Sequence, residues 1–483
     1  MITFIFDYDR SRNIGIIHSD YLDKLREHFS VKDPIANIKK LRYGNFVPSR
    51  KYAITQTGRF KLGMFSTIAN YVTSLEMPYK MIVTQLLKDQ FFCPYNICDI
   101  IKLKIPLREY QEIAIQRALK QGNGVIEVGT GGGKTLIMAS LINTIQQSIG
   151  SKHKTLVIVP GIQLVEQTYK DFITYGIKRH TISKWSGTYD HSDTQIIIAS
   201  ISILQSNQTP ADLYKNVDLL LFDECHKLKK ENLSNKIVSN IRTRHKFSFT
   251  GTMPEDKIDE WNIIGQFGPV LIKKTSNELQ KEDYIANAIV QVIKIKYKTP
   301  YIYKHKATFL DPTVKYNEEC DYIYSQQFRN ETIAKLSHNV NKNILILVDR
   351  IEHGEILTDI ITKFNKNKKV YFIRGTMEVD ARENIRKIME EKNNVICIAI
   401  ASIFSTGINI TNLHYILFAF AGKAKIKIIQ SIGRGLRLHK SKDNLIIFDI
   451  SDQLLYSSKH LVKRLSLYKK EKIKYAIKEI IEQ

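Results

Sequence analysis

Short apolar runs punctuate this chain in two series. The first comprises Val125–Val128, Leu156–Val159, Ile196–Ala199, Leu219–Phe222 and Phe247–Thr250. The second comprises Ile344–Val348, Val370–Ile373, Val395–Ala399, Tyr415–Phe418 and Leu445–Phe448. Runs this short, separated by stretches with helical spacing, predict strands of parallel sheets buried on both faces. Two series predict two successive α/β layers. The pattern before them differs: strand-like Ile2–Phe6 and Asn13–Ile17, a helical stretch at Tyr21–Phe29, and a Gly44-Asn45 turn signal between Tyr43 and Phe46. It predicts a small α+β domain over residues 1–95, followed by α/β domains over 96–282 and 283–483, linked near Gln280–Tyr284. Beyond Gln453 the spacing predicts basic helices, either packed on the second sheet with a solvated face or contacting nucleic acid.

Composition sharpens this picture in three ways. A chain of 483 residues, 43% apolar and 25% charged, has room for about three globular domains. Its 72 Lys+Arg against 48 Asp+Glu leave a formal charge of +24. That excess points to a polyanion partner, because neutralised phosphates release counterions; a generally lysine-rich composition would give the same number. Residues 1–95 hold fourteen Lys+Arg and eight Asp+Glu, and the tail holds eight Lys+Arg and three Glu. Within the first region Lys39, Lys40 and Arg42 are candidates for phosphate-backbone contact, whereas Tyr43 and Phe46 suit either a small core or base stacking. Five scattered cysteines with no Cys-x-x-Cys pair argue against structural zinc and a disulfide framework. No apolar run approaches the roughly 20 residues that span a bilayer, and Met1–Phe6 has no basic leader pattern, so no membrane association and a cytoplasmic location (host cytoplasm for a viral protein) are expected.

Three blocks carry chemistry. The first, Val128-Gly129-Thr130-Gly131-Gly132-Gly133-Lys134-Thr135, follows a strand run and precedes a helical stretch. Glycines there let backbone N–H groups turn toward phosphates, and the helix N-terminus adds partial positive charge. Lys134 is placed to reach the β- and γ-phosphates of ATP, and the Thr135 hydroxyl to coordinate Mg²⁺. The second block, Asp223-Glu224-Cys225-His226, ends the run Leu219–Phe222. Carboxylates at the C-terminal end of a parallel strand face the crevice where ligands bind, which suits Asp223 to Mg²⁺ and Glu224 to orienting and deprotonating a water. The third, Gln430-Ser431-Ile432-Gly433-Arg434-Gly435-Leu436-Arg437, supplies arginines from the other α/β domain. The planar guanidinium fork suits the charge on a transferring phosphoryl group.

This ordered set resembles superfamily 2 helicases, and the Asp-Glu-Cys-His box resembles their DExH-type group. The resemblance implies α/β architecture with two tandem RecA-like domains, parallel sheets flanked by helices, beside the small N-terminal α+β domain. It assigns Gln111, in Leu107-Arg108-Glu109-Tyr110-Gln111, to the adenine edge. Pro160 and Gln167 fall to a strand-contacting motif, and Ala199-Ser200 more weakly to another. Thr250 and Thr252 couple hydrolysis to nucleic acid; Thr406 and Gly407, in Ser405–Asn409, touch backbone and nucleotide. Gln430, Arg434 and Arg437 complete the nucleotide site when the domains close.

A closer similarity is to the UvsW group of recombination and repair helicases of T4-like phages. It rests on Arg42-Tyr43-Gly44-Asn45, on Phe404–Ile408 with Asn412-Leu413-His414, and on Ser431–Arg434 with Leu436-Arg437. That group implies branched, duplex and single-stranded DNA and RNA–DNA hybrids as partners, in recombination, repair and replication restart. It also implies a monomer that meets recombination or single-strand-binding proteins. The chain departs from the group in its more glycine-rich phosphate loop, and Val128 replaces the first glycine of the strict pattern. Readings in other directions are a restriction-type double-stranded DNA translocase, an RNA helicase, and an ATP-switched nucleic-acid clamp without strand separation.

Overall fold

A computed structural model describes residues 1–33, 36, 40, 48–92, 97, 99–150, 153–187, 194–206, 216–228, 232–299, 301–304, 313–375, 377–401, 410–420 and 444–483. It divides into two compact units, residues 1–129 with 133–275, and residues 276–483 with 130–132.

The N-terminal region forms β1 (Ile2–Asp9), β2 (Ile14–His18), β3 (Ser30–Lys32), β4 (Arg50–Tyr52), β5 (Arg59–Lys61) and β6 (Tyr79–Val83). A mixed sheet runs β5-β2-β1-β6, with β3 and β4 as a separate antiparallel pair. Alternation along β1 buries Phe4, Phe6 and Tyr8, and Phe6 meets Phe65 edge to face with ring centroids 5.3 Å apart. Ile264 and Trp261, from the helix Lys257–Phe267 of the following α/β layer, join this core. Gly63 makes the approach possible: a Cβ there would run into the backbone of Ile264, Gly265 and Gly268.

The first α/β sheet holds, among the described residues, β7 (Asn123–Val128), β8 (Thr155–Val159), β9 (Ile182–Trp185), β10 (Ile196–Ser200), β11 (Leu219–Asp223), β12 (His245–Thr250) and β13 (Val270–Lys274). Their order is β13-β7-β12-β11-β8-β10-β9, and every pairing is parallel. The second holds β14 (Asn287–Lys296), β15 (Ile344–Val348), β16 (Lys369–Ile373), β17 (Val395–Ile400), β18 (Tyr415–Phe418), β19 (Asn444–Asp452) and β20 (Lys474–Ile481), in the order β16-β17-β15-β18-β19-β14-β20, again parallel throughout. Both are parallel sheets flanked by helices. The fold is two tandem RecA-like domains with a small N-terminal α+β region.

All ten apolar runs lie on strands, and β8, β15 and β17 are buried at every position. The tail departs from expectation. A helix, Leu455–Lys470, is followed not by more helix but by β20, which lies parallel on the outer edge of β14. Lys472, at φ 54°, takes the left-handed turn that ends the helix, with Ile473 N–H bonded back to the Tyr468 carbonyl at 2.9 Å. The segment beyond carries Ile473, Ile477, Ile480 and Ile481, and the row of unpaired backbone groups on β14 decides its state.

Two buried ion pairs fasten β19. Arg329 Nε bonds Asp452 at 3.1 and 3.2 Å, and Tyr297 donates to the same carboxylate at 2.6 Å. Arg464 Nε bonds Asp449 at 3.0 Å, joined by the Tyr468 hydroxyl at 2.8 Å. Glu319, also buried, accepts the N–H groups of Tyr456 and Ser457 and so caps the helix Leu455–Lys470.

Candidate active site

Parallel strands put all their C-terminal ends along one edge, and strand order decides which ends are neighbours. β7, β12 and β11 are adjacent, so the phosphate loop, Thr250–Thr252 and Asp223-Glu224 stand side by side although they are far apart in sequence. On the other side of β11, β8 and β10 bring Pro160 and Ser200 to the same edge.

The loop leaves β7 at Val128 and enters the helix Lys134–Ile149. Gly131 (φ 85°) and Gly133 (φ 77°) take the left-handed conformation that glycine adopts without steric cost. At Gly133 the space is also closed, because a Cβ would collide with Nε2 of Gln111. Gln111 is buried and clamped, its Oε1 accepting the Arg108 backbone N–H at 2.9 Å. The residue expected to read adenine therefore abuts the loop expected to hold phosphates. Lys134 Nζ donates to the Val128 carbonyl at 3.2 Å, across the mouth of the loop. The Thr135 hydroxyl and the Asp223 carboxylate are hard oxygen donors, and backbone N–H groups at a helix start are phosphate donors. This set fits Mg²⁺ held together with a nucleotide, since Mg²⁺ usually takes one or two protein ligands and fills its shell with phosphate and water. Among the described residues no cluster of three His, Cys, Asp or Glu offers an alternative metal site.

Glu224 is one of few non-glycine residues at positive φ (55°), a conformation that costs of order 1 kcal/mol or more and is held by its surroundings. Its backbone N–H bonds Asp223 Oδ1 at 3.0 Å. Burial and then the Glu224 charge push Asp223 up, to about 6. At Glu224 the burial penalty is outweighed by the His226 hydrogen bond and the Lys134 ammonium, which hold it ionised, well below the usual carboxylate range.

His226 is the joint of the site. Its Nδ1 lies 3.1 Å from Glu224 Oε2 and 3.1 Å from Thr250 Oγ1. Thr250 gives its own proton to the Thr252 carbonyl at 3.0 Å, so toward His226 it accepts. Two acceptors facing one ring nitrogen place the proton on Nδ1. Nε2 is buried without a partner among the described residues. Sequence reasoning named the box but gave His226 no role. It also missed Glu127, the buried acid of β7 just before the loop, whose carboxylate accepts the Met253 N–H at 3.2 Å and pairs with Lys273 at 3.3 Å. Glu127 ties the strand that launches the loop to the segment after Thr252. Its signal was available: an acid inside an apolar run, next to glycines.

Pro160 follows β8, and Gln167 lies on the helix Ile162–Tyr175, half-buried, with Oε1 lacking a partner among the described residues. Ser200 is fully buried and caps the short helix Ile201–Leu204. Arg42, Thr406, Gly407, Gln430, Arg434 and Arg437 lie outside the described residues. Glu390 accepts the Thr411 N–H at 2.6 Å and the Thr411 hydroxyl at 2.7 Å.

Residues 104–255 match the family described as type III restriction enzyme, res subunit, and residues 327–439 match the helicase conserved C-terminal domain. The chain is a superfamily 2 helicase. Its phosphate loop, acidic box and Thr-Gly-Thr turn all fall within the first match, and Gln430, Arg434 and Arg437 within the second. The helicase is 26% identical over 394 residues to the ATP-dependent DNA helicase uvsW of Enterobacteria phage T4, covering 77% of this chain and 76% of that one. It is 23% identical over 425 residues to the DNA 3'-5' translocase XPB2 of Sulfurisphaera tokodaii, covering 78% and 89%. Among solved structures, the type ISP restriction-modification enzyme LlaBIII bound to DNA shares the fold at a TM-score of 0.56 and 12% identity, over 86% of this chain and 34% of that one. No described helix of the helicase is long and apolar enough to cross a membrane.

Proposed function

We propose that this helicase is an ATP-dependent DNA motor that unwinds or branch-migrates branched DNA, including forks, Holliday junctions and R-loops, in recombination, repair and replication restart. The observation that carries the reading is the His226 bridge, because it joins the group that would activate water, Glu224, to the Thr250–Thr252 turn expected to sense nucleic acid. The similarity to the T4 DNA helicase supplies the substrate class.

In this reading Gln111 selects adenine, Gly129–Gly133 cradle the phosphates and Lys134 draws charge from the β- and γ-oxygens. Thr135 and Asp223 would hold Mg²⁺, which when bound would supply charge neutralisation for the transferring group. Glu224 takes the proton of the attacking water, and being held ionised suits it to that task at neutral pH. By the family resemblance, Gln430, Arg434 and Arg437 stabilise the charge that develops on the transferring phosphoryl group. Pro160, Gln167, Thr406 and Arg42 hold the nucleic acid. The division of the chain at residues 95 and 282 gives one duplex-holding region and two motor domains.

The test measures ATP hydrolysis and strand separation side by side on single-stranded DNA, forks, Holliday junctions, RNA–DNA hybrids and duplex RNA. Branched DNA should give the highest unwinding per ATP. Stimulation by duplex DNA without strand separation would favour the second reading, a duplex translocase, which the relation to the archaeal translocase supports. A preference for duplex RNA would overturn both.

A further inference from the structure

The first unit holds a second concave site at the other end of the sheet. A cavity of about 160 Å³ opens where the N-terminal region meets the first RecA-like domain, lined by Arg12 and Lys61 from one side and Arg244 and Lys246 from the other. A water needs roughly 10–15 Å³, so there is space for a group many times that size. Asn123 and Lys246 lie near the starts of β7 and β12, whose far ends carry the phosphate loop and Thr250. Six residues of strand, about 20 Å, separate the two sites.

The lining includes no carboxylate. Lys246 is 7% exposed, its Nζ donates to the Val238 carbonyl at 3.2 Å, and among the described residues no acid forms an ion pair with it. Burial and then the Lys61 charge pull it down to about 7. Lys61 donates to Asn262 Oδ1 at 2.6 Å, on the helix Lys257–Phe267. Arg242 reaches across to the Ser11 carbonyl at 3.4 Å, and Arg12 pairs with Asp9 at 3.1 Å at the exposed rim. A buried ammonium facing another cation with no acid is costly unless an anion completes it.

We propose that this cavity binds a phosphate group, supplied either by a nucleic-acid backbone or by a free polyphosphate. Two ammonium groups supply point charges and two guanidinium groups supply forked donors, the usual complement for phosphate oxygens. Because the four cations come in equal numbers from the two sides, the bound anion clamps the N-terminal region to the motor. This phosphate site stands apart from the ATP site and does not require the DNA reading.

The experiment uses the full chain carrying Lys134→Ala, which silences the phosphate loop. Pyrophosphate binding is measured by calorimetry, alone and with Arg244→Gln or Lys246→Met added. A second arm measures binding of a short DNA duplex against salt concentration. Lys246→Met removes a buried charge while keeping an unbranched apolar side chain only one atom shorter, so its melting temperature should hold or rise, and Arg244→Gln alters an exposed side chain that leaves the core untouched. A free polyphosphate site predicts at least tenfold weaker pyrophosphate binding in both variants with DNA affinity unchanged. A backbone site predicts weaker DNA binding and a salt slope lower by about 0.9 for each DNA phosphate no longer neutralised. A change in both arms shows a phosphate site open to either source. Unchanged binding in both arms, in both variants, would overturn the proposal.

Discussion

The two RecA-like domains both place a pair of acids on or just beyond one of their strands, and treat them in opposite ways. In the second domain Asp449 and Asp452 are buried on β19, and each is met by a buried arginine and a tyrosine hydroxyl. In the first domain Asp223 and Glu224 end β11 half-buried, met by a histidine and a lysine but by no arginine among the described residues. The same fold therefore yields a neutralised pair that fastens strands and an under-neutralised pair suited to a divalent cation and a water. What separates a structural acid from a catalytic one here is the cation brought to it, not its position on a strand.

Substitutions at the two pairs test this contrast directly. The largest expected effect is on rate: Glu224→Gln should lower ATP turnover by about 10²–10⁴-fold while leaving the melting temperature nearly unchanged. A substantial loss of stability instead would make Glu224 another structural acid. Next, Asp452→Asn strands the Arg329 charge in the core and should cost about 3–5 kcal/mol in denaturant unfolding of the second domain. If it unfolds nothing, the neutralised pair is not what fastens β19.

A third buried group shows another solution, giving up its charge. Burial, reinforced by His153, pulls His245 down to about 4. Below about 6.5 the unfolded chain binds a proton that the fold excludes, so stability should fall as pH drops from 6.5 toward 4, by on the order of 2–3 kcal/mol. His245→Gln should flatten that limb of the pH–stability curve, and an unchanged slope would assign it to other groups. The smallest effect concerns coupling. His226→Ala should reduce nucleic-acid stimulation of ATP hydrolysis roughly tenfold, about 1–2 kcal/mol, with basal hydrolysis less affected. Equal losses in both would make His226 part of the chemistry rather than of the coupling.

Much of this was legible in the chain. The apolar runs marked ten of the strands because parallel strands buried on both faces cannot tolerate alternation, and the phosphate loop declared itself through glycines that its backbone requires. The candidate residues Gln111, Gly129–Thr135 and Asp223-Glu224 could be named from the chain, and the structure brings them together at one edge of the first sheet. Missed strands such as β13 and β20 lie at sheet edges, where side chains are partly exposed and local spacing no longer separates strand from helix. Glu127 and His226 were missed as participants because their partners, Met253 and Thr250, lie far off in sequence.

Local composition and spacing were enough to say which segments are strands, which loop can hold phosphate and which acids can serve it, because each of those properties is set within a few residues. Only packing in three dimensions could establish that β7, β12 and β11 are neighbours, that one histidine proton is shared between Glu224 and Thr250, and that Arg12, Lys61, Arg244 and Lys246 surround one cavity. Such facts depend on strand order and on the docking of the N-terminal region. Neither is written in any window of the chain, because long-range packing is selected by the whole buried surface at once.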